Sequence, residues 1–286
     1  MSEKKQQHYI PKTYLDAWCD IHTPFGHEPY VWLFEKHEKT GRNKSPKKIL
    51  RENNMYTIFE NGERNLQLED AFRTVETKFP SIRDKLLKFE SLNQKEHLLL
   101  CGFVATMYAR TRSQLDNFSE IWKKPLSFLQ AMEKWKFQEK YKITPLISMG
   151  DQAANFTIEE VEVMVNNPEQ HVMPLIIQEL APKLMSLDLA VFHTDDPIGF
   201  ITLDNPCVWY DYLDRLPSLD SETIELSMPI SPNRLVIFNN SGVAGYIQIE
   251  TNYLDEINRR THLNAGSNFI VNQNQFKNIW FEPEKD

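Results

Sequence analysis

The apolar residues of this chain change their spacing twice, and this change limits the folds open to it. Residues 28–60 and 187–281 contain short β-type runs separated by turn residues, such as Tyr30–Phe34 and Leu189–His193. Residues 66–186 instead carry apolar side chains at helical spacing. Strands, then helices, then strands again are typical of an α+β fold rather than of a doubly wound sheet. The sequence therefore predicts a mixed or antiparallel sheet built from N- and C-terminal strands, with a large inserted helical block.

Length and composition favour one domain. The chain has 286 residues, and 41% of them are hydrophobic, which is enough to bury a large core. No internal repeat and no linker rich in Pro, Gly or Ser interrupts it. We therefore expect residues 1–286 to form a single domain, with N-terminal strands in 28–60, helices in 66–186, and C-terminal strands and one helix in 187–281.

The strongest helix signal begins at Asn93. Glu96 follows three residues later, as in a capping box. The segment Leu98–Tyr108 is apolar around most of its circumference, which predicts a buried central helix. We expect this helix to continue through Arg110 and beyond.

Charge and motif content exclude several functional classes. The net charge of -8 disfavours general attraction to nucleic acid, although a local basic cleft remains compatible with it. The three cysteines form no C-x-x-C pair, and the phosphate-binding, dinucleotide-binding and nucleophile-elbow motifs are missing. No run of about 18 apolar residues is found either. We therefore expect a cytoplasmic protein with no membrane partner.

The first candidate for a functional site is the segment His8–Leu15, which reads H-Y-I-P-K-T-Y-L and is rich in polar and aromatic side chains. Pro11 would set the start of a helix that carries Tyr14 and Leu15. These anchoring side chains would hold the His8 imidazole against the body of the protein, so we interpret His8 as a site residue.

A second candidate is the turn Asp204-Asn205-Pro206, which follows the β-type run Phe200–Leu203. Asp204 is suited to be a general base or a metal ligand, and Asn205 to hydrogen-bond a substrate. The alternative is an Asx-turn, in which both side chains satisfy the local backbone. The sequence leaves both interpretations open.

Three further charged residues belong to the helical block. Arg110 extends the apolar face of the central helix, so a carboxylate such as Glu76 or Asp204, or a bound phosphate, must compensate its charge. The alternative is a structural Arg–Glu pair between helices. Glu69 and Glu76 are two helical turns apart, and with His8 and Asp204 they would make a site for a divalent metal such as Mg²⁺. A solvated charged face is the alternative.

The opening segment resembles the start of the bacterial domain-of-unknown-function 4238 family, which reads H-Y-[IV]-P-x-x-Y-L. Leu203–Val208 is similar to its S-D-N-P-V segment, with Leu203 in the usual place of serine, and Pro229–Pro232 is similar to its P-L-S-P segment. Leu254–Asn258 resembles its late L-N helix. The resemblance covers nearly the whole chain, and it implies Tyr14 and Asn258 as supporting residues.

These features lead to three functional hypotheses. The first is a hydrolase with His8, Arg110, Asp204 and Asn205 in a composite catalytic site, and in its narrow form a nuclease of a bacterial defence or mobile-element locus. The second is a non-catalytic sensor module that binds a small ligand or a protein at the same residues. The third is a structural polar network that holds the N-terminus on the domain. An open cavity around these groups would argue against the third hypothesis, and mutual pairing in a sealed core would argue against the first.

Overall fold

The computed structural model of the chain describes residues 6–60, 63–136, 158–212 and 221–283, so residues 137–157 of the predicted helical block lie outside the described residues. The strands are β1 (Gln6–His8), β2 (Val31–Glu35), β3 (Arg42–Lys44), β4 (Arg51–Asn53), β5 (Ile58–Glu60), β6 (Glu63–Asn65), β7 (Asp188–His193), β8 (Thr202–Leu203), β9 (Val208–Asp211), β10 (Ile224–Ser231), β11 (Arg234–Asn239), β12 (Gly245–Gln248) and β13 (Asn268–Val271). The helices are α1 (Lys12–Leu15), α2 (Gln67–Glu76), α3 (Phe79–Leu87), α4 (Gln94–Ala109), α5 (Arg112–Lys136), α6 (Ile158–Asn166), α7 (Pro168–Ser186) and α8 (Thr251–Leu263).

Two larger sheets and two short ribbons contain the described strands. The five-stranded sheet has the order β12-β7-β11-β10-β9, and within it only the β12–β7 pair is parallel. The four-stranded sheet has the order β3-β2-β13-β8 and is antiparallel, so it joins N-terminal strands to C-terminal ones. The ribbons are β1–β4 and β5–β6. The predicted α+β class is confirmed, with the strands divided between two sheets rather than gathered in one.

Helix α4 is the buried central helix that the sequence predicts. The capping box forms, because the Asn93 side chain accepts from the Glu96 backbone N–H at 3.0 Å and Glu96 accepts from the Asn93 N–H at 2.9 Å. Eight of its 16 residues are buried, and six of these belong to one hydrophobic core with residues of α7 and the five-stranded sheet.

The expected continuation of α4 through Arg110 is wrong. The helix ends at Ala109, and Arg110 caps it with a ψ of 2°. The backbone N–H groups of Gln114 and Leu115 then bond back to the Thr111 carbonyl, so a separate helix, α5, starts there. The apolar periodicity of the sequence cannot reveal this break, because the apolar pattern continues from α4 into α5.

The segment Gly199–Ile201 is buried but lies outside regular secondary structure, so its backbone polar groups need other partners. Asn258 of α8 supplies two of them: its Nδ2 donates to the Gly199 carbonyl at 2.8 Å, and its Oδ1 accepts from the Ile201 N–H at 3.1 Å. The Trp18 indole donates to the Phe200 carbonyl at 3.0 Å. Asn258, which the sequence suggested as a supporting residue, therefore holds this segment.

Tyr14 links the two larger sheets. Its buried hydroxyl donates to the Pro229 carbonyl of β10 at 2.7 Å and lies 2.7 Å from the Thr202 hydroxyl of β8. Because the single phenolic proton goes to Pro229, the Thr202 hydroxyl donates to the Tyr14 oxygen. The opening segment is thus bonded to both halves of the β structure.

Asp204 anchors the loop between α8 and β13. Its Oδ1 accepts from the Gly266 N–H at 2.9 Å, and its Oδ2 accepts from Ser267 at 2.7 Å and from Asn268 at 3.0 Å. Asp204 satisfies backbone groups as the turn interpretation proposed, except that these groups lie more than sixty residues away rather than locally. We call these contacts of Tyr14, Trp18, Asp204 and Asn258 the backbone clamp.

The clamp predicts a large stability effect at Asp204. Asp204→Ala removes a buried carboxylate that accepts hydrogen bonds from three backbone N–H groups, and we expect a loss of about 3–5 kcal/mol in the free energy of unfolding, measured by urea titration. Asp16→Ala is the control, because its exposed pair with Lys12 is worth at most about 1 kcal/mol. Equal losses in the two variants would contradict the clamp.

The burial of α4 predicts a second stability effect. Val104→Asp places a carboxylate at a position that is 0% exposed, so we expect a loss of about 4 kcal/mol or more, or failure to fold. Leu98→Asp on the same helix is the matched control, because Leu98 is 52% exposed. Thermal unfolding followed by circular dichroism measures both, and a Val104→Asp protein as stable as the Leu98→Asp protein would show that α4 is not central.

Candidate functional site

A cavity of about 590 Å³ lies between the β1–β4 ribbon, the start of α1 and helix α2. Helix α2 contributes Glu69, Phe72, Arg73 and Glu76, which recur at helical spacing and so lie on one face. The sequence prediction that Glu69 and Glu76 share a face is confirmed. His8 lines the same cavity, so three of the predicted site residues lie around it.

Gln7 explains why the polar opening segment is ordered as a strand. Its buried side chain donates to the Thr57 hydroxyl at 3.1 Å and to the Glu69 carboxylate at 2.7 Å, and it accepts from the Tyr56 N–H at 2.6 Å. These three bonds hold β1 against α2 and the turn after β4. Nothing in the polar sequence around Gln7 signals this role.

The surroundings of His8 leave one of its ring nitrogens available as a base. Its half-buried ring contacts the backbone carbonyls of Pro46 and Lys47, while its Nε2 is buried and has no hydrogen-bond partner among the residues that the structure describes. The carbonyl contacts therefore fall to the Nδ1 side, which leaves the lone pair on Nε2. Burial, followed by the nearby Arg51 guanidinium, lowers the pKa of His8 below its usual range, and the carbonyls and Glu76 oppose this shift. The imidazole is thus neutral at neutral pH.

Arg110 is compensated by Glu76, one of the two carboxylates that the sequence suggested. The guanidinium is 0% exposed, and its Nη1 lies 2.5 Å from the Glu76 carboxylate. It also lies over the Phe72 ring at 5.7 Å, and its Nε has no partner among the described residues. Arg110 therefore lies outside the residues that line the cavity. The Glu76 carboxylate interacts electrostatically with both Arg110 and His8.

Two hydroxyl groups at the cavity are also buried without a partner in the described part of the chain. Tyr56 is 2% exposed, and neither its hydroxyl nor the Thr13 hydroxyl makes a hydrogen bond there. Burial raises the pKa of Tyr56 far above its usual value, so it keeps its proton and remains a donor. Native structures pair nearly all buried polar atoms, so these two hydroxyls are available as hydrogen-bond donors at the cavity.

The four predicted metal ligands do not come together. The Glu69 carboxylate accepts a hydrogen bond from Gln7, and Glu76 pairs with Arg110. The Asp204 carboxylate accepts its hydrogen bonds from backbone N–H groups. Among the described residues, no three His, Cys, Asp or Glu side chains are placed to hold one metal ion. Asp204 does not line the cavity, unlike His8, Glu69 and Glu76.

Like Asp204, Asn205 does not line the cavity. Burial, followed by the Asp204 carboxylate, raises the pKa of Tyr9, which follows His8 in the chain. The Asn205 Oδ1 is buried and has no partner in the described part of the chain. The expected convergence of His8, Arg110 and Asp204 is thus partial, since Glu76 interacts with both of the first two residues and Asp204 lies outside the cavity lining.

Among the residues that line the cavity, sequence reasoning overlooked Thr13, Arg51 and Tyr56 as site residues. Thr13 belongs to the opening segment, but the sequence does not show that its hydroxyl lacks a partner among the described residues. Arg51 is brought to His8 by strand pairing, in which the two residues are directly opposite and so share a face. Pairing between strands separated by more than forty residues has no short-range signal.

Comparison with known proteins places the chain in a family. No curated protein and no solved structure matches it. The family model described as "Protein of unknown function (DUF4238)" matches residues 6–276, which include β1, the cavity and the backbone clamp. The family resemblance of the opening segment is therefore confirmed over nearly the full length, and the chain belongs to the DUF4238 family.

Proposed function

We propose that this protein is a hydrolase in which His8 is the acid–base group. The observation that carries the proposal is the His8 Nε2, which is enclosed and unpartnered on the wall of a cavity of about 590 Å³. A neutral imidazole with a free lone pair is suited to take a proton from water at neutral pH.

In this mechanism Nε2 accepts a proton from the attacking water and returns it to the leaving group. The Pro46 and Lys47 carbonyls hold the ring through its Nδ1 side, and Glu76 stabilises the imidazolium that forms. Tyr56, which stays protonated, donates a hydrogen bond to the negative charge that develops on the substrate. Arg110 acts as a positioning residue, because it fixes Glu76.

The narrower predictions extend this proposal. A nuclease of a bacterial defence or mobile-element locus is supported by Arg51, a cation that lines the cavity despite the net charge of -8. Glu69 and Glu76 line the cavity, but Gln7 and Arg110 already bind them, so the proposed proton transfer by His8 does not rely on a divalent metal such as Mg²⁺. None of the described helices is both long and apolar enough to cross a bilayer. The cytoplasmic location expected from the sequence is part of the proposal.

The proposal predicts that His8→Gln inactivates the protein without unfolding it. We expect kcat/KM to fall by about 10²- to 10⁴-fold, because the proton acceptor is lost, with the melting temperature changed by only a few degrees. Phosphodiesters, phosphomonoesters, carboxylic esters, RNA and DNA are tested with Mg²⁺, with Mn²⁺ and with chelator. His27→Gln, in an exposed loop, is the control and should keep full activity.

Two results would refute the proposal. In one, His8→Gln retains the activity of the parent protein. In the other, the parent turns over none of these substrates. Ligand binding without turnover would then favour the non-catalytic binding module.

A second prediction concerns the pH dependence of the site. Because the Arg51 guanidinium helps to lower the pKa of His8, Arg51→Gln should raise that pKa toward 6.5, and the acid limb of the kcat/KM profile should move to higher pH with it. NMR titration of the His8 ring measures the shift directly. Arg73→Gln should leave the His8 pKa unchanged, and an unchanged value in Arg51→Gln as well would refute the electrostatic contact.

A further inference from the structure

Among the described residues that line the cavity, Arg51 is the one cationic side chain without an ion-pair partner. Lys12 pairs with Asp16 at 2.8 Å, and Arg73 lies 3.9 Å from Asp70. No ion pair or side-chain hydrogen bond involves Arg51 within the described part of the chain, although it lines the cavity directly opposite His8 in the β1–β4 ribbon. A ligand with negative charge would supply the missing partner.

We propose that the cavity binds the phosphate group of its substrate, with Arg51 as the principal ligand and the Thr13 and Tyr56 hydroxyls as further donors. This inference rests on the proposed function, since it names the substrate group that His8 would act beside. It also makes Arg51 a specificity-determining residue of the site.

The number of donors favours phosphate over carboxylate. The guanidinium offers a planar pair of N–H groups that fits two oxygens of either anion. The Thr13 and Tyr56 hydroxyls are two more donors at the same cavity, and both are buried without an acceptor. A carboxylate has only two oxygens to share among these groups, whereas a terminal phosphate has three.

The size of the cavity indicates that the phosphate is attached to a small organic body. About 590 Å³ lies within the range of pockets that enclose a drug-sized molecule, which is far more than a bare phosphate ion needs. Phe72 and Pro11 supply apolar wall beside the donors. The expected ligand is therefore an organic phosphate, either free in solution or at the end of a nucleic acid.

Titration calorimetry of the whole chain with inorganic phosphate at constant ionic strength tests this inference without requiring turnover. We expect saturable binding to the parent that weakens about tenfold or more in Arg51→Gln, because a charge-assisted pair is lost. Tyr56→Phe should weaken it by a smaller factor. Arg73→Gln is the matched control, since that cation lines the same cavity but already lies near Asp70, and it should bind like the parent. Melting temperatures confirm that each variant is folded.

A nucleoside monophosphate and a 5′-phosphorylated oligonucleotide are then compared as ligands. Tighter binding of either than of inorganic phosphate, with the same dependence on Arg51, supports the inference and identifies the source of the phosphate. Lack of saturable phosphate binding by the parent, or equal binding by folded Arg51→Gln, would overturn it. If phosphate binds through Arg51 but no ester is cleaved, the inference stands and the hydrolase proposal fails.

Discussion

The buried backbone of residues 199–204 is the constraint on which the rest of the molecule depends. These residues connect the five-stranded sheet to the four-stranded one, and Gly199–Ile201 do so without a neighbouring strand. Each buried backbone group left unpaired would cost about 1–3 kcal/mol. Asn258 of α8 and Trp18, in the turn just after α1, pair three of these groups, and the Phe200 N–H donates to the Pro232 carbonyl at 2.6 Å. Tyr14 of α1 adds bonds to Pro229 and to the Thr202 hydroxyl. The two sheets, the opening segment and the late helix therefore form one hydrogen-bonded unit.

The candidate site follows from that constraint. Tyr14 and Trp18 hold the opening segment on its C-terminal side through the backbone clamp, and Gln7 holds it on the other side through α2. His8 lies between these anchors, so its ring is fixed although it belongs to a three-residue strand near the end of the chain. The clamp therefore divides the distinctive residues of the sequence into two groups: Tyr14, Asp204 and Asn258 hold the fold, whereas His8 and Glu76 surround the cavity.

The parts that the sequence predicted are those with local causes. The capping box at Asn93 and the shared face of Glu69 and Glu76 depend on residues within a few helical turns. The need for a carboxylate beside Arg110 follows from its position on the apolar face of α4. The role of Asp204 was not predictable in the same way, because its backbone partners belong to a loop some sixty residues later. Nor was Arg51, whose place beside His8 depends on strand pairing in a polar ribbon with no apolar alternation.

Amide hydrogen exchange tests the backbone clamp most directly. If the clamp holds the two sheets together, the amide of Ile201, which bonds to Asn258, and those of residues 266–268, which bond to Asp204, exchange as slowly as the central amides of β7, which open only when the whole domain unfolds. The exposed Ile21 and Phe25 provide the fast reference. Exchange of Ile201 at the rate of Ile21 and Phe25 would contradict the account.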